Sequence, residues 1–85
     1  MGPAAWAAVG RALGVALASS LFKGEGSIVV LLAKQLERAI AQRKLELATA
    51  LLRDLAYRHR RAFDEFMAKF GSDLPPDVKE ELEQL

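Results

Sequence analysis

The chain contains no cysteine, which excludes disulfides and thiolate metal sites and is compatible with a reducing compartment without demonstrating one. Aromatic residues are scarce, 7% of a chain that is 52% hydrophobic, so the apolar content rests mainly on Ala, Leu and Val. Such side chains suit helices but individually bury little area. Histidine occurs once, as His59, and serine only as Ser19, Ser20, Ser27 and Ser72. A Ser-His-acid arrangement would have to join a loop serine to a lone mid-helix histidine, so no catalytic residue is assigned and an enzyme is not expected. Metal ligands are equally short. Asp64 and Glu65 lie about a turn from His59, but the Glu-x-x-His spacing of carboxylate-bridged di-metal bundles does not occur. Neither a metal nor a cofactor is expected.

Long uninterrupted apolar runs are also missing. Residues 1–20 hold a short run ending in Ala16-Leu17-Ala18, the form of a signal-peptidase site, with Arg11 as its only basic residue. The window from Ala4 to Phe22 has the length of a membrane span but is interrupted by Arg11 and dominated by Ala and Gly. Neither a cleaved signal nor a transmembrane helix is expected; the location stays open, with a cytoplasmic one slightly favoured.

What is present reads as helix throughout. Eighty-five residues make one domain with a modest core. The first helix is expected over about 4–22, with Pro3 in its first turn and Lys23-Gly24-Glu25-Gly26 stopping it. Inside it, Gly10 and Gly14, extended by Ala18, form a smooth strip that admits a close helix neighbour; in water such a strip means tight packing more often than lipid-phase dimerisation. Ser27 is placed to cap a second helix. Ile28-Val29-Val30-Leu31-Leu32 could by itself be a short strand, but no partner strand exists elsewhere.

From Ser27 to Phe70 there is neither Gly nor Pro. One long helix is expected over about 28–70, which would reach roughly 65 Å at about 1.5 Å per residue. If it bends, the places are 42–44 and 57–59, where the apolar pattern thins. Its apolar stripe (Ala33, Leu36, Ile40, Leu47, Leu51, Leu55, Ala62, Phe66, Phe70) has a second line beside it through Leu45, Ala48, Leu52, Ala56, Phe63 and Met67. That breadth exceeds a two-stranded seam and asks for two neighbours. After Gly71, placed as a C-cap, and Pro75-Pro76, a short acidic helix is expected over about 76–85.

The fold class is therefore all-α, a helical hairpin or three-helix arrangement around a long central helix, expected to be oligomeric. The expected helix-packing interface consists of Trp6, Gly10, Gly14, Ala18, Leu36, Ile40, Leu47, Leu51, Leu55, Phe63, Phe66, Met67 and Phe70. The expected function is a non-enzymatic structural, scaffolding or adaptor subunit that assembles with copies of itself or within a larger complex.

Two alternatives come from charge and from Trp6. The net charge of +1 hides a sequence dipole. Arg38, Arg43, Lys44, Arg53, Arg58, Arg60 and Arg61 stand against Glu46 and Asp54, a local balance of +5, and Asp73, Asp77, Glu80, Glu81 and Glu83 against Lys79, a balance of −4. The basic stretch makes Lys44, Arg53, Tyr57, Arg58, Arg60 and Arg61 candidate nucleic-acid contacts. The spacing of Asp54 with Arg58, Arg60 with Asp64, Arg61 with Glu65 and Glu65 with Lys69 gives a solvated, salt-laced helix instead. A third use of the cluster is to meet the acidic tail of a neighbouring copy. Membrane association through Trp6 as an interfacial anchor is the last alternative.

If the Gly10 and Gly14 strip is buried against a helix, Gly14→Leu lowers the thermal midpoint; an unchanged melting curve would mean the strip is free surface.

Overall fold

The structure, a computed structural model, describes residues 1–85 and consists of helices and turns without a strand. Its helices are α1 (Pro3–Ala18), α2 (Ser27–Ala41), α3 (Leu45–Arg58), α4 (Arg60–Phe70) and α5 (Pro76–Glu83), with single 3-10 turns at Lys23–Glu25 and Gly71–Asp73. The all-helical class stands, but five helices replace the hairpin or three-helix arrangement. The uninterrupted helix expected over 28–70 does not form. It is broken at both of the places where the apolar pattern thins.

The first break is a helix terminus built without glycine. Arg43 adopts φ 57°, the left-handed region that side chains other than Gly occupy at a cost. Its N–H donates to the Ile40 carbonyl at 3.0 Å, and the Lys44 N–H donates to the Ala39 carbonyl at 2.8 Å. This pair of bonds is a Schellman motif, which satisfies two carbonyls near the end of α2 while turning the chain. Helix α1 ends in the same way. Ser20 stands at φ 61°, its N–H donates to Leu17 and that of Leu21 to Ala16. The expected α1 boundary near residue 22 therefore contracts to Ala18.

The second break is a kink. His59 has φ −125° and ψ 53°, outside the helical region, yet its N–H still reaches the Leu55 carbonyl and its own carbonyl accepts from Phe63, both at 3.1 Å. The chain changes direction without leaving either group of His59 unpaired. Two expected caps also differ. Gly26, at φ 104°, precedes α2, and Ser27 is the first helical residue without a side-chain capping bond. Gly71 has φ −58° and leads into a 3-10 turn in place of a left-handed stop.

Folding the stripe upon itself packs α2 against both α1 and α3, with α4 leading on from α3 past the His59 kink. The molecule measures 30 × 25 × 23 Å, so its own helices cover most of the broad apolar face. Leu36, Ile40, Leu55 and Phe66 of one line and Ala48, Leu52, Ala56 and Phe63 of the other are buried. Leu45, Leu51, Met67 and Phe70 are half-buried against the same core, and Leu47 alone among these is exposed, at 49%. The expectation that a second chain must shield this face fails because the rod is not straight.

Large side chains fill the middle, where the Phe22 and Phe66 rings stack with centroids 6.2 Å apart and Phe70 continues the row at 5.7 Å. Elsewhere the core is mainly Ala and Leu, with a few Val, Ile40, Trp6 and Phe63, and no polar or charged side chain is buried in it. Val78 and Leu82 pin α5 to the body.

The left-handed residue gives the turn a test with opposite signs. Arg43→Gly removes the left-handed penalty and stabilises by about 1 kcal/mol, a rise of several degrees in Tm for a domain of this size. In an unbroken helix the same change would cost about 1 kcal/mol, so a fall in Tm would contradict the turn. In the core, Leu55→Ala opens a cavity at a fully buried position and costs about 2–5 kcal/mol in urea denaturation.

Candidate interaction surface

The residues expected to make a packing interface divide into three groups. Trp6, Leu36, Ile40, Leu55, Phe63 and Phe66 lie inside the single-chain core. Leu51, Met67 and Phe70 are half-buried at its edge. Gly10 and Gly14, with the exposed Leu47 and Ala18, face the surface in part.

Gly10 and Gly14 serve the α1–α2 contact. A Cβ on Gly10 would stand 3.0 Å from Ile40 Cγ2, and one on Gly14 would stand 2.6 Å from Glu37 Oε2. The strip is thus a place where two helices of the same chain approach closely, which offsets the helix propensity lost at two glycines. Beside this contact runs a groove of about 870 Å³, walled by Ala7, Gly14, Val15 and Ala18 on α1 and by Ile40 and Ala41 on α2. Val15 stands on it 57% exposed. Arg11 and Arg38 line the same groove with Glu37, and none of the three forms an ion pair within the chain.

A second surface lies on the outer side of the α2–α3 hairpin. Ile28 is 70% and Leu31 56% exposed, and Gln35, Arg38, Gln42, Lys44, Leu47 and Leu51 border a shallow seam of about 300 Å³ floored by Ala39. Sequence patterning missed Ile28 and Leu31 as surface residues. Ile28-Val29-Val30-Leu31-Leu32 is continuous in apolarity, and only the placement of α1 and α3 decides which members face out.

The basic candidates do not form one patch. The His59 kink splits them between α3 and α4, and most of the arginines are engaged inside the chain. Arg58 pairs with Asp54 at 3.1 Å, Arg60 with Asp64 at 3.1 Å, and Arg61 with Glu65 at 3.7 Å and Glu25 at 3.9 Å. Arg60 also lies over the Phe63 ring, 5.3 Å from its centroid, and donates to the Leu85 carbonyl. The expected Glu65–Lys69 pair is not formed, since Glu65 turns to Arg61. Lys44, Arg53 and Tyr57 remain exposed without an ionic partner in the chain.

Trp6 is 5% exposed and borders Leu52 and Leu82, so it cannot act as an interfacial anchor in this fold. No helix is long and apolar enough to cross a membrane. No group of three acidic or histidine side chains is placed to hold a metal ion, and His59 is half-buried at the kink.

No family model matches this chain, and no curated protein or solved structure is detectably similar to it.

Arg60 is tied by four contacts, to Asp64, the Phe63 ring and the Ala56 and Leu85 carbonyls, and Arg58 by one exposed pair. Arg60→Ala lowers stability by about 1 kcal/mol, while Arg58→Ala stays within about 0.5 kcal/mol of the parent. Paired thermal melts measure the difference, and equal losses would show that the Phe63 contact contributes nothing.

Proposed function

We propose that this chain is a non-enzymatic structural or adaptor subunit that associates with copies of itself, and that the α1–α2 groove is the place of contact. The observation that carries the reading is the groove itself. It is apolar and open, and it presents Val15 at 57% exposure beside the glycine strip of α1. Exposed contiguous apolar surface on a small soluble domain marks an interaction site more often than not.

Charge favours a second copy as the occupant. A two-fold contact is isologous, so whatever residue i meets in the partner, the partner's residue i meets here. The groove carries Arg11 on one wall and Glu37 on the other, both without an ionic partner in the chain. Two copies related by a two-fold axis bring each Arg11 towards the other's Glu37, while Val15 enters the opposite groove. Complementary charge of this kind fixes register more than it adds affinity.

Sedimentation equilibrium across a wide concentration range tests the reading, with the 9.3 kDa chain giving a mass that rises with concentration. Arg11→Glu and Glu37→Arg each weaken association several-fold, and the two together recover it. A chain-mass particle at every concentration removes self-association.

Nucleic-acid binding is the second reading, supported by the exposed and unpaired Lys44 and Arg53. Engagement of Arg58, Arg60 and Arg61 by carboxylates reduces the field available to phosphates. Titration with a duplex at two salt concentrations separates the readings, because affinity for phosphates falls steeply as salt rises.

A further inference from the structure

The outer face of the α2–α3 hairpin combines two features that the groove lacks. Its apolar side chains are large and project outward: Ile28 at 70%, Leu31 at 56% and Leu47 at 49% exposure. Spacings of three, four and seven along α2 put Ile28, Leu31, Gln35 and Arg38 on one side of that helix, and Leu47 and Leu51 continue the surface across the seam onto α3. The unpaired charges bordering this ridge are of one sign. Lys34, Arg38 and Lys44 are exposed and form no ion pair. Asp54, the acidic residue that shares the Leu47 and Leu51 side of α3, is held by Arg58 at 3.1 Å. Glu46 sits about 100° round the helix from Leu47, towards the far flank.

We propose that this face binds the surface of an anionic lipid bilayer, the chain lying on the membrane with Ile28, Leu31 and Leu47 among the headgroups and Lys34, Arg38 and Lys44 against the lipid phosphates. The site is separate from the α1–α2 groove, and binding there does not depend on self-association.

Four other occupants fit less of the surface. A second copy docked by the same face about a two-fold axis would cover the aliphatic ridge but set Lys34, Arg38 and Lys44 near their own equivalents, and like charges across an interface select against it. The acidic α5 of another copy would answer the cations, but Val78 and Leu82 are buried in their own chain, so α5 has only Asp77, Glu80 and Glu83 to offer the ridge. Nucleic acid would satisfy the cations while leaving three aliphatic side chains against phosphate and sugar, where stacking proteins present aromatic faces. An acidic partner helix would need a groove to receive its apolar side chains; the seam beneath the ridge, about 300 Å³, has room for only a few. A bilayer needs no concavity. A flat face with an aliphatic centre and a cationic border is what an interfacial helix presents to an anionic leaflet.

Co-sedimentation with vesicles of phosphatidylcholine containing phosphatidylserine, and with vesicles of phosphatidylcholine alone, tests the assignment. The wild-type chain is expected to partition at least about tenfold more strongly onto the serine-containing vesicles, since each basic side chain near an anionic surface contributes roughly fivefold. Arg38→Glu with Lys44→Glu loses that preference, and Ile28→Asp with Leu31→Asp loses binding to both. The substituted positions are exposed, so the variants retain the wild-type circular dichroism; Ile28→Ser with Leu31→Ser, which introduces no charge, gives the same direction with a smaller loss. Wild-type chain that stays in the supernatant with anionic vesicles overturns the proposal. So does equal partition onto both lipids, or wild-type partition by the Ile28 and Leu31 variants. Sedimentation mass without lipid reports on self-association separately, so either idea fails alone.

Discussion

The turn at Gln42–Lys44 is the constraint on which the fold depends. A chain with few large side chains gains little by presenting a long stripe to solvent, because each Ala or Val removes only a small area from water. Reversing the chain at Arg43 lets α2 and α3 use each other's stripe, and the His59 kink brings the Phe63 and Phe66 turn of α4 onto the same core. The cost is one arginine in a left-handed conformation. That cost is offset because the motif gives the Ala39 and Ile40 carbonyls hydrogen-bond partners and places Ala48 and Leu52 where they are buried.

Small residues then determine how closely the helices lie. Ala16, Ala33, Ala48 and Ala56 are fully buried, and Gly10 and Gly14 admit Ile40 and Glu37 into space that a methyl group would fill. Packing of this kind tolerates few changes of size, since interiors are close-packed and each added methylene must displace something. It also explains how 85 residues make a one-chain core with few aromatic rings. Every buried side chain in that core is apolar, so polarity and charge are left to the surface.

Charge is partitioned by the same topology. The kink at His59 puts Arg58 and Arg60 on different helices, and each pairs with the carboxylate four residues away in its own helix. The cations that remain unpaired on and beside α2 are Lys34, Arg38, Arg43 and Lys44, while Asp73, Asp77, Glu80 and Glu83 stay unpaired around α5. A surface divided in this way steers approach over about a Debye length and offers different partners different faces.

Helical class, the reach of the helical segments and the identity of the apolar positions were written in the order of residues, because 3.6-residue periodicity and the positions of Gly and Pro are local properties. The breaks at 42–44 and 57–59 were visible as thinning of the apolar pattern. Their depth was not, because Ser20 and Arg43 end helices in a conformation usually signalled by glycine, and which non-glycine residue accepts it is decided by the packing it makes possible. Likewise Ile28 and Leu31 look like core in sequence, and Trp6 and Phe63 like interface. Their burial depends on which helix lies alongside, a relation between residues distant in the chain that no local pattern records. Tertiary structure alone decided that the broad apolar flank closes within one molecule, leaving the α1–α2 groove and the α2–α3 ridge as the surfaces open to others.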